Sequence, residues 1–151
     1  MPSVHPQDLP TARLGVCMAG CLCRRGTGIG PSLHTMQRPN LSRLLVAFAR
    51  QAVPQFHFTS IQVNRDLESA LHVDANNMGP SMIIGLGNYK GGDLWVHREG
   101  KIDLRGQWVS IDGNIPHGTM PFTGRRYTLV YFTQKSYRLM QHEDRQLLIE
   151  R

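Results

Sequence analysis

The chain has 151 residues, of which 40% are hydrophobic and 19% are charged, as expected for one globular domain. No apolar run approaches the roughly 18 residues that span a bilayer, which argues against a membrane protein. The net charge of +6 is uneven: residues 1–50 hold six Arg and one Asp (+5), whereas residues 51–151 hold eleven Lys or Arg and ten Asp or Glu (+1). A basic N-terminal tail can bind nucleic acid, although a solvated, flexible leader is the simpler interpretation.

Residues 1–38 show no helical or strand period and mix Gly, Pro, Ser and Arg, which predicts a loop or disordered leader before a domain over residues 39–151. All three cysteines, Cys17, Cys21 and Cys23, lie in this leader. Their odd number argues against a disulfide framework, and their spacing lacks a fourth ligand for structural zinc. This pattern suits a reducing compartment and favours an intracellular protein over a secreted one.

One amphipathic helix is predicted to begin near Asn40 and to end at Pro54. Its apolar residues recur at steps of three and four and predict a buried stripe made of Leu41, Leu44, Leu45, Phe48 and Ala52. The apolar stripe needs a surface to cover, and the strands that follow can supply it. A last, weakly patterned helix is predicted over residues 136–151.

From His57 onward the apolar period becomes strand-like, and turn residues separate most of the segments. Short strands with no helices between them predict a mainly β fold, a jelly roll or cupin-like double sheet with one flanking N-terminal helix. The eight strand candidates are residues 56–64, 70–76, 81–86, 93–97, 101–104, 107–112, 116–121 and 126–133.

Two histidines and one aspartate form the candidate metal site. On a strand, His72 and Asp74 of H-V-D would point to the same face, so one imidazole and one carboxylate could grip a cation. His117 lies on the seventh strand candidate, which can neighbour the second in an eight-stranded double sheet. Two His and one carboxylate leave open positions on the metal, as oxygen chemistry at non-haem Fe(II) requires.

The last strand candidate carries an arginine on its inward face. Arg126, Thr128, Val130 and Phe132 share one face by parity, whereas Tyr127, Leu129 and Tyr131 share the other. An arginine that faces the interior is costly unless it meets an anion, and a carboxylate would satisfy it with a bidentate pair to which Thr128 could add a donor. Arg125 is the alternative, because a shift of one residue in register exchanges the faces.

The set H-V-D, a distal His and R-Y-T at the start of the closing strand resembles the 2-oxoglutarate/Fe(II)-dependent dioxygenase superfamily over about residues 56–132. The resemblance implies a double-stranded β-helix that holds Fe(II) on His72, Asp74 and His117. It also implies that Arg126 and Thr128 bind the distal carboxylate of 2-oxoglutarate, with O2 as the second co-substrate. The wider sequence, including GLGNYKGGDLWV and HGTMPFTGRRYTLVYF, resembles algal and protist members distantly similar to the TET/JBP nucleobase hydroxylases. Many members have a longer N-terminal region, so the chain is either a fragment or a minimal member.

Several polar and aromatic residues are further candidates. Asn64 is a candidate for contact with the co-substrate, and Asn76, Asn77 and Trp95 for contact with substrate. Each has a simpler interpretation: the asparagines as turn or strand-edge residues, and Trp95 as a packing residue. The loop over residues 75–80 directly follows the metal segment and is a candidate substrate lid.

The leading hypothesis is therefore a dioxygenase that oxidises a C–H bond and forms succinate and CO2. The substrate class is open among a nucleobase, a protein side chain and a small molecule. The alternative is a non-catalytic cupin-like domain that binds a metal or another ligand. A third hypothesis, nucleic-acid binding through the basic tail, is compatible with the first.

Overall fold

The computed structural model describes residues 16–18, 22–25, 28–31, 33–139 and 141–143, and these are mainly antiparallel β-structure. Two helices, α1 (Leu33–Gln37) and α2 (Pro39–Ala52), lie ahead of the main strands, and a 3-10 helix (Lys135–Leu139) follows them. The strands are β1 (Val16–Met18), β2 (Leu22–Arg25), β3 (Gly28–Pro31), β4 (Ser60–Arg65), β5 (Ser81–Leu86), β6 (Tyr89–Gly91), β7 (Leu94–Val96), β8 (Gly100–Ile102), β9 (Val109–Ile111), β10 (His117–Thr119), β11 (Phe122–Gly124) and β12 (Tyr127–Phe132).

Two antiparallel sheets form the body of the fold. The larger sheet has the order β1-β4-β12-β5-β9, and the smaller one has the order β10-β7-β8. A single backbone bridge between His72 and His117 adds residue 72 to the edge of the smaller sheet, beside β10. The chain passes back and forth between the sheets from β4 to β12, which is the winding of a double-stranded β-helix. The predicted fold class is confirmed.

Side chains from the inner faces of the two sheets share one core. Ile83 of β5 and Ile111 of β9 pack with Leu94 and Val96 of β7, and Leu104 completes this cluster. These apolar residues come from both sheets and close the space between them. The polar residues that face the same space therefore lie in a largely apolar surrounding.

The outer face of the larger sheet is covered by α2. Leu129 and Tyr131 of β12 pack against Leu45 and Ala49 of the helix, and the buried Tyr131 hydroxyl donates to the Leu45 carbonyl at 2.8 Å. The small Ala49 side chain is fully buried, which allows the helix to approach the sheet closely. Because this face of β12 packs on the helix, the opposite face points into the space between the two sheets.

The helix is predicted correctly in place but only partly in its buried face. Leu45 is buried and Phe48 is partly buried, whereas Leu41, Leu44 and Ala52 are exposed. The contact with the sheet is centred on Leu45, which belongs to the predicted stripe, and on Ala49, which does not. The face that meets the sheet is chosen by its fit to Tyr131, which helical spacing alone does not specify.

The segment 70–76, predicted as a strand, is not one. Only His72 is bridged, and the Asp74 and Asn77 backbone N–H groups donate to separate acceptors, Gly113 and Asp74, at 2.7 and 3.1 Å. The hydrogen bonds of this segment are therefore one turn and one contact with a distant loop, not a ladder. Conversely, residues 89–91 and 122–124, predicted as turns and linkers, pair as the ribbon β6–β11.

The two ends of the chain also differ from their predictions. Within residues 1–38, predicted as loop, β1 pairs with β4, β2 pairs with β3, and α1 follows. Cys17 lies on β1 and Cys23 on β2, while Cys21 lies outside the described residues. The helix predicted over residues 136–151 begins as the 3-10 helix, and residues 140 and 144–151 lie outside the described part. Among the described residues, no helix has the length and apolar content needed to cross a membrane.

Candidate metal centre and cavity

Three side chains predicted as metal ligands converge. His72 Nε2 lies 3.5 Å from one Asp74 carboxylate oxygen, and His117 Nε2 lies 3.4 Å from the other. All candidate ligand atoms of His72, Asp74 and His117 lie within 4.8 Å of one another, and the two imidazole centroids are 4.4 Å apart. His117 is buried, Asp74 is half-buried and His72 is exposed, so the group sits at a cavity mouth.

Both imidazoles are oriented by a backbone carbonyl. His72 Nδ1 donates to the Ala70 carbonyl at 2.7 Å, and His117 Nδ1 donates to the Ile115 carbonyl at 2.8 Å. Because Nδ1 of each ring is directed at a carbonyl, Nε2 is the ring atom that faces Asp74. The hydrogen bond with Asp74 raises the pKa of His117, while burial opposes this shift. The three groups thus place two ring nitrogens and a carboxylate around one point, where a metal ion could be held.

Two glycines allow the backbone to bring these ligands together. A Cβ on Gly118 would lie 3.2 Å from the Leu71 backbone N, so the segment that carries His72 can lie directly against β10. A Cβ on Gly113 would lie 3.1 Å from an Asp74 carboxylate oxygen, so the turn before β10 packs directly against that side chain. In both places a larger residue would displace a ligand.

The three ligands line a cavity of about 300 Å³ between the sheets, and Arg126 and Thr128 line the same cavity. Along β5 the inward-facing residues run from Ser81 to Gly85, and Gly85 pairs with Thr128. Ser81 pairs with Ile111, which lies two residues before the turn that contacts Asp74. The metal group and the arginine therefore lie toward opposite ends of one cavity.

Arg126 is 3% exposed, and its side-chain donors are mostly unused. One terminal N–H donates to the Gly92 carbonyl at 2.9 Å, whereas Nε has no hydrogen-bond partner. No carboxylate of the described residues lies within 4 Å of this guanidinium, and burial lowers the pKa of Arg126. A guanidinium in this state is poised to bind an anion.

Arg125 is not an alternative for this position. Its side chain is half exposed and forms an ion pair with Asp66 at 3.1 Å, outside the cavity. The same Asp66 carboxylate accepts the Arg126 backbone N–H at 2.8 Å. This aspartate therefore holds Arg125 on the outside while it anchors the strand end from which Arg126 turns inward, as the predicted parity requires.

A short hydrogen-bond chain extends across the larger sheet beside the arginine. Gln62 donates to the Asn64 side-chain oxygen at 3.2 Å, and Asn64 donates to the Thr128 hydroxyl oxygen at 3.1 Å. Since Thr128 already accepts from Asn64, its own proton is free for a ligand in the cavity. Asn64 thus lines the cavity and contacts Thr128, while its contact with a co-substrate stays a prediction.

Of the three residues predicted for substrate contact, only one lines the cavity. Asn77 is buried and lines the cavity, whereas Asn76 is exposed and does not. Trp95 points away from the cavity and lines a separate depression with Leu71 and Met120. Leu94 and Val96 face inward on β7, so alternation on the strand turns Trp95 outward.

The loop over residues 75–80 is tied down along its first half. The Met78 backbone N–H donates to Thr133 at 2.8 Å, and the Lys135 backbone N–H donates to Asn76 at 2.9 Å. The Lys135 ammonium also donates to the Ala75 carbonyl at 2.8 Å. These bonds join the metal segment to the end of β12, so this half of the loop is part of the frame rather than a free lid.

Sequence reasoning missed Gln62 and Ser81 in the cavity wall. Gln62 shares the inward face of β4 with Asn64, so strand parity could have found it. Ser81 is 1% exposed and its hydroxyl has no hydrogen-bond partner. It lies on β5 two residues before Ile83, which also faces the cavity, but a lone serine carries no chemical signal in a sequence.

No protein-family model matches the sequence, and no curated protein matches it either. Among solved structures, the chain is similar to NgTET1 in complex with 5mC DNA, with a TM-score of 0.49 and 21% identity over 76% of this chain and 53% of that one. It is also similar to an oxidoreductase of the 2OG-Fe(II) oxygenase family from Burkholderia pseudomallei, with a TM-score of 0.45 and 22% identity over 74% of this chain and 64% of that one. The chain thus spans about half of the first structure and just under two thirds of the second.

Proposed function

We propose that the chain is a 2-oxoglutarate- and Fe(II)-dependent dioxygenase that oxidises a C–H bond of its substrate. One observation carries the proposal: a two-histidine, one-carboxylate group and a buried guanidinium without a carboxylate partner line the same cavity. The first demands a cation and the second demands an anion. Fe(II) together with a dicarboxylate 2-oxo acid meets both demands at once.

The donor set fits a non-haem iron. Two imidazole nitrogens and one carboxylate form the facial triad that leaves positions open for co-substrates. Donor atoms at about 2.1 Å from one ion lie about 3 Å apart when they are adjacent, so the separations of 3.4 and 3.5 Å need to contract by only a few tenths of an ångström. Zn²⁺ could also use this set in an open site, but the buried arginine is better explained by an anionic co-substrate.

The chain's own residues would hold the co-substrate at its far end. Arg126 offers two or more unused N–H donors to a carboxylate, and the Thr128 hydroxyl offers another. The apolar side chains between the two ends, Ile83 and Val130 among them, exclude water and strengthen these charged contacts. The Ala70 and Ile115 carbonyls hold the imidazoles in the ligand tautomer.

When bound, Fe(II), 2-oxoglutarate and O2 supply an oxidation of a substrate C–H bond that is coupled to formation of succinate and CO2. The residues of the chain would hold the metal ion and the co-substrate in place and provide the charges around them. The exposed side of His72 leaves the metal end of the cavity open to an incoming substrate. Asn77, which is buried at the cavity wall, is the substrate contact that we retain from the sequence.

The proposal defines the substrate only as a molecule with an accessible C–H bond. Nucleic-acid binding through the basic N-terminal residues is a separate prediction. It is testable by salt-dependent binding of duplex DNA to the full chain and to a variant in which Arg13, Arg24 and Arg25 are replaced by glutamine, because deletion of residues 1–38 would also remove β1 from the larger sheet. If the DNA affinity of both proteins depends only weakly on salt, the basic residues of the tail do not bind the phosphates.

The test is succinate formation from 2-oxoglutarate by the full chain with Fe(II) and ascorbate. We expect His72→Ala and Asp74→Ala to reduce both iron content and succinate formation to background, because two ligands cannot hold Fe(II) tightly. His97→Ala is the matched control, since His97 is an exposed histidine outside the cavity.

Two results would contradict the proposal. Succinate formation that survives loss of His72 or Asp74 would show that the metal group is not the reaction centre. Stoichiometric iron without any 2-oxoglutarate binding or turnover would favour a non-catalytic cupin-like domain instead.

A further inference from the structure

Arg126 is enclosed by two aromatic rings that belong to neither main sheet. Its guanidinium carbon lies 5.5 Å from the centroid of Tyr89 and 5.3 Å from the centroid of Phe122. Tyr89 lies on β6 and Phe122 on β11, the two strands of the small ribbon. The rings are 6.4 Å apart at an interplanar angle of 72°. The ribbon thus brings two aromatic rings to a buried charge.

The backbone also packs closely against the Arg126 guanidinium. A Cβ on Gly92 would lie 2.8 Å from Arg126 Nε and 3.1 Å from the Phe122 Cβ. Tyr89 is 3% exposed, and its backbone carbonyl accepts a hydrogen bond from Arg105 at 2.9 Å. The orientation of Arg126 is therefore set by groups that contact it from several sides.

Ring faces stabilise a cation in a way that a carboxylate does not. A carboxylate partner would neutralise the guanidinium and occupy its in-plane N–H donors. An aromatic face attracts the charge through its quadrupole and accepts none of those in-plane donors. One terminal N–H goes to Gly92 and Nε is buried against that glycine, so the remaining terminal N–H groups are the ones that can meet a ligand.

We propose that Tyr89 and Phe122 are positioning residues that hold Arg126 charged and oriented for the distal carboxylate of the co-substrate. Through Arg126 they set the preference for a dicarboxylate over a monocarboxylate 2-oxo acid. This inference rests on the proposed function of the same cavity. It assigns the role to the ring faces, and Tyr89→Phe separates the ring from the Tyr89 hydroxyl, which also interacts with Arg126.

The test compares two ligands that differ only at the distal end. The full chain with Fe(II) is titrated by calorimetry without oxygen, with 2-oxoglutarate and with 2-oxopentanoate. We expect Tyr89→Leu and Phe122→Leu each to weaken 2-oxoglutarate binding by about tenfold, and to leave 2-oxopentanoate binding unchanged. Tyr89→Phe keeps the ring and is expected to keep the preference.

The control is Phe58→Leu, which removes a half-buried ring that packs on Tyr131 on the helix side of the larger sheet. It is expected to leave the ligand preference unchanged. If Tyr89→Leu does not fold, Phe122→Leu carries the test alone, because Phe122 is only half-buried on a short strand.

Each contrary outcome has a distinct meaning. Equal weakening of both acids would assign the rings to general stability and overturn the inference. A loss of preference in Tyr89→Phe would assign the effect to the hydroxyl and overturn it as well. Unchanged preference in both leucine variants overturns the inference alone, whereas a wild-type chain that does not bind 2-oxoglutarate overturns the proposed function and the inference together.

Discussion

Replacement of Arg126 by methionine should separate stability from ligand binding. In most proteins a side chain that is 3% exposed contributes strongly to folding, and its loss is destabilising. Arg126 differs because its charge is buried without a carboxylate partner in the described part of the chain. Methionine has a similar length, fills much of the same space and contacts aromatic rings favourably.

The expected change follows from three opposing contributions. Loss of the N–H donor to the Gly92 carbonyl costs about 1–3 kcal/mol, and loss of the two ring contacts costs about 1–2 kcal/mol before sulfur–ring contacts replace part of it. Removal of an uncompensated buried charge returns several kcal/mol. We therefore expect the free energy of unfolding of Arg126→Met to lie between unchanged and about 2 kcal/mol higher.

Chemical denaturation measures this difference, and Leu129→Ala is the matched reference. Leu129 is buried on the opposite face of the same strand, and its truncation should cost about 2–5 kcal/mol. With Fe(II) present, 2-oxoglutarate at about 100 times its wild-type Kd should raise the stability of the wild type by about 2.7 kcal/mol, and that of Arg126→Met by clearly less, because only the keto-acid end of the ligand is then held. A loss of more than about 3 kcal/mol in Arg126→Met would refute the reasoning, because it would mean that the guanidinium is already satisfied by the fold.

Gly118→Ala should weaken metal binding by about tenfold with a small loss of stability, because its Cβ would lie 3.2 Å from the Leu71 backbone and displace the segment that carries His72. Unchanged iron affinity in a competition titration would contradict this account of how the ligands are placed. Tyr131→Phe should lower the free energy of unfolding by about 1 kcal/mol, because its hydroxyl donates to the buried Leu45 carbonyl, and it should leave iron and 2-oxoglutarate affinity unchanged. A changed ligand affinity would mean that the helix side of the sheet is coupled to the cavity.

The part of the site that lies on regular strands was accessible from the sequence. Parity puts Thr128 of β12 on the inward face, and Arg126, one residue before the strand, follows the same parity; both line the cavity. The same rule puts Leu129 and Tyr131 on the helix face, where they are found. Period-2 alternation is a property of the backbone, so it survives wherever a strand is long enough to display it.

The sequence predicts that His72 and Asp74 converge, but it predicts this from a strand that the segment does not form. Alternation along a strand predicts that His72 and Asp74 share one face, yet only His72 has a bridge partner. Their convergence comes from the hydrogen bond of Asp74 to Gly113 and from the close approach at Gly118. Such contacts join distant parts of the chain and leave no periodic trace in the sequence.

The ribbon β6–β11 was missed for a related reason. Its strands are three residues each, and glycines at positive φ, among them Gly91 and Gly124, resemble turn residues in the sequence. A Cβ on Gly91 would lie 2.5 Å from the Pro121 carbonyl oxygen, so glycine is there for close approach between strands. Sequence reasoning cannot separate this use of glycine from its use in a turn.

The two ends of the cavity are unfavourable by themselves and complementary to each other. At one end two imidazole lone pairs and a carboxylate face a common point, and at the other a guanidinium lies in an apolar wall. A metal ion alone would satisfy the first and leave Arg126 unpaired, while a carboxylate alone would satisfy Arg126 and leave the ligand group without its cation. Only a ligand set that carries both charges across the cavity relieves both ends. This is why a metal with a chelating dicarboxylate explains the arrangement better than either partner alone.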